Sequence, residues 1–168
     1  ADKYRVPRIA FVNKLDRTGA DFERVCEMMT SRLHARPVAV QLPWFVGEEF
    51  RGVLDLIEMR ALYWEDETKG AGYTAVTIPA DLRKRAEQAR DRLVEVACEA
   101  DDALLEKYVA GSPVTPGELR AAIRRGTIEL KFTPVLCGTA FRNKGIRPLL
   151  DAVVDYLPNP VEVKPQPE

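Results

Sequence analysis

The sequence predicts an α/β fold in which part of a doubly wound parallel layer is interrupted by an inserted α+β subdomain. Three observations lead there. Each end of the chain holds a short unbroken apolar run, then a polar turn, then an amphipathic helix, the texture of strands covered on both faces. The middle, residues 37–127, mixes strand and helix signals without that order. The composition, 46% hydrophobic and 30% charged over 168 residues, is that of one folded domain or one and a fraction, with material for a substantial core.

The first strand is Arg8-Ile9-Ala10-Phe11-Val12, introduced by Pro7 and read as buried on both faces. It gives way to the polar run Asn13–Gly19. A helix follows over 21–33, with Phe22, Val25, Cys26, Met29 and Leu33 as its apolar face and Asp21 and Glu23 at its positive end. Residues 37–43 read as a short strand, and 50–57 and 59–64 as two more. The acidic Glu65-Asp66-Glu67 and the glycines at 70 and 72 mark a loop. A long helix is expected over 81–100 and a short one over 103–109, closed by Gly111. Thr115-Pro116-Gly117-Glu118 is a capping box with proline at the first helical position, so a helix starts there, with its end expected near Gly126. Residues 132–137 form the last strand and 138–145 a polar loop. The helix over 146–157 is expected to bury Leu149, Leu150, Val153 and Val154 before Pro158 and Pro160 stop it. Residues 161–168, with prolines at 165 and 167, read as a linker.

The same residues exclude several classes. A net charge of −1 carries no domain-wide basic excess for nucleic-acid binding. Three widely spaced cysteines make no disulfide framework, and with no C-x-x-C and a single histidine a zinc site is not expected. Cys26, Cys98 and Cys137 read as small core residues, Trp44 and Trp64 as packing residues, and Glu48-Glu49 as a solvated loop. His34 reads as a helix C-terminal residue favourably placed against the dipole. No apolar run reaches membrane-spanning length and no secretory core follows the charged N-terminus, so a cytoplasmic protein without a membrane role is expected.

The chemistry lies in Asn13-Lys14-Leu15-Asp16, directly after a strand and before a helix, where doubly wound folds bind ligands. A carboxylate at Asp16 can accept two parallel hydrogen bonds from N1–H and the exocyclic amine of guanine, a donor pair adenine lacks. The Lys14 stem can lie along a purine face. The Asn13 amide can donate to N7 and brace neighbouring loops. Gly138-Thr139-Ala140, again just past a strand, is a small-residue turn that lets a backbone N–H approach the base oxygen O6. Chance supplies N-K-x-D in roughly one chain in fifty of this length, so the strand-before, helix-after context and the second loop carry the reading. Asp16 and Thr139 are 123 residues apart, where one helix, one strand and two loops would need roughly 30. The excess is the inserted subdomain. Arg142-Asn143-Lys144 is a basic loop, read equally as solvated or as lying near nucleotide or RNA.

Residues 6–22, Val-Pro-Arg-Ile-Ala-Phe-Val-Asn-Lys-Leu-Asp-Arg-Thr-Gly-Ala-Asp-Phe, closely resemble the base-recognition segment of translation elongation factor G. So do residues 138–146 and the run Leu150-Asp151-Ala152-Val153-Val154-Asp155-Tyr156-Leu157-Pro158. The resemblance spans essentially the whole chain. It departs at Thr139, usually serine, and Leu15, usually methionine. It implies a P-loop-GTPase-like sheet lacking its N-terminal half, with residues 1–36 and 128–160 forming the C-terminal half of a GTP-binding domain and 37–127 the inserted G′ subdomain. It implies nucleotide contacts at Asn13, Lys14, Asp16, Thr139 and Ala140, and GTP or GDP as ligand, with Mg2+ held by upstream segments. It further implies GTP hydrolysis coupled to ribosomal translocation, with ribosomal RNA and the ribosomal stalk protein as partners, the stalk through the insertion.

No G-x-x-x-x-G-K-[ST] loop occurs: Gly47 and Gly52 have the glycine spacing, but Val53 and Leu54 follow. Asp16-Arg17-Thr18-Gly19 matches the D-x-x-G form of a magnesium motif, a reading set aside because it claims the same aspartate. The chain alone is therefore expected to supply base specificity without a catalytic residue and without hydrolysis. The alternative is a non-enzymatic module whose insertion docks on the stalk protein.

Overall fold

Two sheets share one core. The structure, a computed structural model, describes residues 4–65 and 72–162. The expected loop residues 66–71 and the expected linker beyond 162 lie outside the described residues. Strands β1 (Ala10–Val12), β2 (Pro37–Ala39) and β7 (Thr133–Cys137) form a parallel sheet in the order β1-β7-β2. All five residues of β7 are buried, which its central place requires. β1 is shorter than the expected 8–12 and only Val12 is buried, because among the described residues it is an edge strand.

Strands β3 (Gln41–Val46), β4 (Glu49–Asp55), β5 (Arg60–Tyr63) and β6 (Thr74–Thr77) form an antiparallel meander. The single strand expected over 37–43 is thus two strands in two sheets. Val40 is the pivot: its N–H donates to Val135 O on β7 at 3.1 Å, and its carbonyl accepts from Leu56 N, just past β4, at 3.1 Å. Residues 37–39, assigned to the insertion by the sequence, therefore belong to the parallel sheet. β6 was not anticipated. Its Thr-Ala-Val-Thr is mostly exposed at the sheet edge and carries no apolar alternation to read.

Helices α1 (Phe22–Leu33), α2 (Ala80–Cys98), α3 (Asp102–Val109), α4 (Pro116–Ile128) and α5 (Ile146–Tyr156) fall close to their expected spans. Asp21 caps α1 by accepting from Arg24 N at 2.9 Å, and His34 closes it in the left-handed region with φ 51°. Leu33, on the expected face, is 66% exposed at the last turn. The Thr115–Glu118 capping box is formed. α4 does not stop near Gly126 but runs to Ile128. Gly126 is buried inside the helix, where a Cβ would lie 2.2 Å from Phe132 Cζ, so it serves close packing rather than termination. α5 is rotated from expectation. Pro148, Ala152 and Tyr156 face the core with Leu149 partly buried, while Leu150, Val153 and Val154 are exposed. Apolar residues cover a wide arc of this helix, all but the side held by Arg147, Asp151 and Asp155, so periodicity alone does not select the inward stripe within that arc. Cys98 and Cys137 are buried and Cys26 half-buried, all free thiols, and burial with the nearby Glu23 carboxylate pushes Cys26 up to about 11. Trp64 is buried and Trp44 half-buried.

The core runs without a break from Leu15, Phe22 and Val135 to Leu42, Val53, Leu54, Trp64 and Ile123. Within the meander, Gly52 pairs with Trp44 on one side and Tyr63 on the other, whose rings meet edge-to-face at 6.4 Å. A Cβ on Gly52 would lie 2.0 Å from Leu62 O, a backbone atom of the neighbouring strand. Gly52→Ala is therefore expected to destabilise by about 3 kcal/mol or more. Gly117→Ala, in the open first turn of α4, should be neutral or stabilising. Urea midpoints of the two variants check this, and equal midpoints would remove the close-approach argument.

Candidate functional site

The two polar loops predicted to act together are neighbours because β1 and β7 are. The ladder continues past both strands: Gly138 N donates to Val12 O at 3.0 Å and Leu15 N to Gly138 O at 3.2 Å. Leu15, 2% exposed, anchors the first loop in the core, a role the motif alone does not reveal. Lys14 beside it has φ 62°, a conformation that costs a non-glycine residue about 1–3 kcal/mol. Its side chain is exposed and makes no hydrogen bond or ion pair among the described residues.

Asn13 holds the loops together. Its Oδ1 accepts from Lys14 N at 2.8 Å and from Ala140 N at 2.9 Å. Both lone pairs are spent on backbone amides, leaving the side-chain NH2 to donate outward. Asp16 Oδ1 accepts from Thr139 Oγ1 at 2.8 Å, and Arg142 Nε lies 3.3 Å from Asp16 Oδ2. The Thr139 hydroxyl bond, ahead of the opposing effect of burial, holds the Asp16 carboxyl below its ordinary value, with its own backbone amide, Arg142 and Arg17 assisting. The carboxylate is 17% exposed.

The second loop is shaped by glycine and by its own closure. Thr139 and Lys144 exchange backbone bonds of 2.9 and 3.1 Å around the 3-10 turn Ala140–Arg142. A Cβ on Gly138 would lie 2.3 Å from Lys144 O, so that position takes only glycine. Of the basic loop, Arg142 is exposed and pairs with Asp16, but Lys144 is 4% exposed, so the run is not uniformly solvated. Phe141 is 97% exposed. Sequence reasoning assigned no role to Phe141 or to the Arg142–Asp16 pair. The signal for the first was an aromatic residue in an otherwise polar loop. The second had none, since the partners are joined only by the fold.

Asn13, Asp16, Thr139 and Ala140 are thus one hydrogen-bonded cluster, with Lys14 projecting beside it. Among the described residues no group of three or more His, Cys, Asp or Glu is placed to hold a metal, and no helix is long and apolar enough to cross a membrane. Removing the Thr139 hydroxyl in Thr139→Val should raise the Asp16 pKa toward the usual carboxylate range and cost about 1 kcal/mol at neutral pH, whereas Thr139→Ser should keep both. The lowered pKa gives stability that is present above the unfolded value and lost as pH falls through the folded one. The acid limb of the valine variant should therefore begin at higher pH. Carboxyl-carbon NMR titration of Asp16 reads the shift directly, and an unchanged curve in the valine variant would assign the lowered pKa to another cause.

Comparison with known proteins identifies the family and the fold. A family model described as the elongation factor Tu GTP binding domain matches residues 1–159. A crystal structure of a protein from Thermus thermophilus is 30% identical and superposes with a TM-score of 0.82 over 96% of this chain. This chain spans 24% of that one. The match over nearly all of the chain, together with an α/β fold that places an N-K-x-D loop against a small-residue loop, shows that the chain belongs to the elongation factor Tu GTP-binding domain family, a family of translational GTPases that bind guanine nucleotides.

Proposed function

We propose that these residues form the guanine-recognition part of a cytoplasmic translational GTPase of the elongation factor G type, one that couples GTP hydrolysis to translocation on the ribosome. The observation that carries the reading is the state of Asp16: an ionised, partly exposed carboxylate, fixed by Thr139 and set beside an asparagine whose oxygen is already spent on the loops. Its oxygens suit N1–H and the exocyclic amine of guanine. Arg142, whose side chain is 53% exposed, would leave Asp16 at little cost as the base arrives. The free NH2 of Asn13 faces N7, and the small turn at Thr139-Ala140 admits a backbone N–H to O6. The Lys14 stem and the exposed Phe141 ring offer flat apolar surfaces for the base.

Phosphate chemistry is assigned to other segments of a longer protein. The sequence contains no phosphate-binding loop, and the described residues contain no carboxylate cluster fit for Mg2+. We assign Mg2+ to those same segments. The inserted subdomain, the meander with α2 to α4, is in this reading the surface that meets the ribosomal stalk protein, while the whole protein contacts ribosomal RNA. Titration of the chain with the C-terminal domain of the stalk protein tests the docking separately from nucleotide.

The 168-residue chain by itself is expected to show no Mg2+-dependent GTP turnover, because the charges that stabilise phosphoryl transfer are not among its residues. Stoichiometric turnover by the purified chain would overturn that division of labour.

Asp16→Asn tests base recognition in a chain that also carries the family's phosphate-binding segments. The new amide donor would oppose the exocyclic amine of guanine, so GTP affinity should fall at least about tenfold. Xanthine presents a carbonyl there, so XTP should become the preferred nucleotide. Equal weakening of both nucleotides would give Asp16 a role in loop structure and remove the base-recognition reading.

A further inference from the structure

A cleft of about 560 Å3 opens between the parallel layer and the meander, and no residue of the loops 13–19 or 138–145 lines it. Its size is that of small-molecule sites. The walls come from β3, β4, β5, β7, α4 and α5, and apolar contacts are supplied by Leu62, Leu136 and Ala152, each nearly buried.

The lining is strongly acidic: Asp55, Glu58, Asp151 and Asp155 face a single cation, Arg120. Arg120 is already committed. Its guanidinium hydrogen-bonds Glu58 and lies 3.8 Å from Asp155. Asp55 and Asp151 have no ion-pair partner among the described residues. Asp55 Oδ1 accepts from Ile57 N at 2.8 Å and Glu58 N at 3.4 Å, but its Oδ2 has no hydrogen-bond partner there. Burial pushes the Asp55 carboxyl above its ordinary value, outweighing the Ile57 and Glu58 amides and the Arg120 charge, which act the other way.

Two further groups point to a ligand independently of the acids. Gln41 and Tyr156 both line the cleft and are each 4% exposed. Gln41 Oε1 accepts from Cys137 N at 3.4 Å, yet its NH2 donates to nothing among the described residues, and neither does the Tyr156 hydroxyl. Both donor atoms open onto the cleft rather than lying sealed in the core, since the buried side-chain donor without a partner among the described residues is Trp64 Nε1. The unpaired carboxylates ask for positive charge, these donors ask for an acceptor, and the leucines ask for an aliphatic body. A bare metal ion fits poorly, since no group of three or more ligating side chains is assembled among the described residues.

We propose that this cleft binds a small organic cation, with an ammonium head at Asp55 and Asp151, an aliphatic body on Leu62 and Leu136, and a carbonyl accepting from Gln41 and Tyr156. The site is independent of the nucleotide reading, and its test does not involve the base loops. The probe is 6-aminohexanamide, titrated into the 168-residue chain and followed by amide and side-chain NMR shifts. Saturable shifts centred on the Gln41 side chain, Ala152 and Tyr156 are expected, with a dissociation constant of about 1 mM. Hexanamide, which lacks the ammonium, should bind about tenfold more weakly, as should the probe to Asp55→Asn, whose remaining oxygen still caps the turn. Tyr156→Phe and Asp151→Asn provide the same comparison if Asp55→Asn does not fold. Shifts that scatter over exposed carboxylates without saturating, shifts reproduced by sodium or magnesium chloride at equal ionic strength, or equal binding of hexanamide would each overturn the proposal.

Discussion

The parallel pairing of β1 with β7 is the constraint on which the site depends. It aligns Val12 with Cys137 and extends one step further on each side, through Gly138 to Val12 and Leu15 to Gly138. Two loops 123 residues apart in the chain thereby leave the sheet at the same edge and in the same direction. Everything polar that follows is local bonding between loops that the sheet has already placed. A one-residue slip in this register would turn Leu15 out of the core and move Asp16 off Thr139.

Within the site, the polar groups divide their work. Asn13 gives its oxygen to structure, bonding both the Lys14 and Ala140 amides. Asp16 gives one oxygen to Thr139 and holds the other against an exposed arginine. Lys14 accepts a left-handed backbone, a local strain that the surrounding turns enforce: Arg17 N bonds Lys14 O and Ala20 N bonds Arg17 O, both at 3.1 Å. The loop is therefore shaped before any ligand arrives, which lowers the ordering cost of binding.

Much of this was legible in the sequence where the signal is local. The capping box at Thr115, the acidic start of α1 at Asp21 and Glu23 and the strand–turn–helix order at both motifs depend on residues a few positions apart, and each was found in place. What was not legible depends on partners distant in sequence. Gly126 resembles a helix stop until Phe132 is seen against it. Val40 looks like the middle of one strand until its amide is seen to bond Val135 in the parallel sheet and its carbonyl to accept from Leu56, just past the meander strand β4. The inward face of α5 is chosen by its packing against α4, not by its own apolar pattern, which spans a wide arc beside Arg147, Asp151 and Asp155. The Arg142–Asp16 pair has no sequence signature at all, because an arginine in a polar loop is ordinarily solvated.

The order of strands in the parallel sheet also has a consequence for the sequence of events in folding. β3 to β6 pair only with their neighbours along the chain, so each hairpin can close as soon as it exists. β1 and β2 are different. Among the described residues they do not pair with each other, and each pairs only with β7, the last strand. They wait for a strand that follows the entire meander and three helices, at the entropic cost of a long loop closure. The insertion can therefore be complete while the layer around it is still open, and the loops after β1 and β7 meet only when that layer closes.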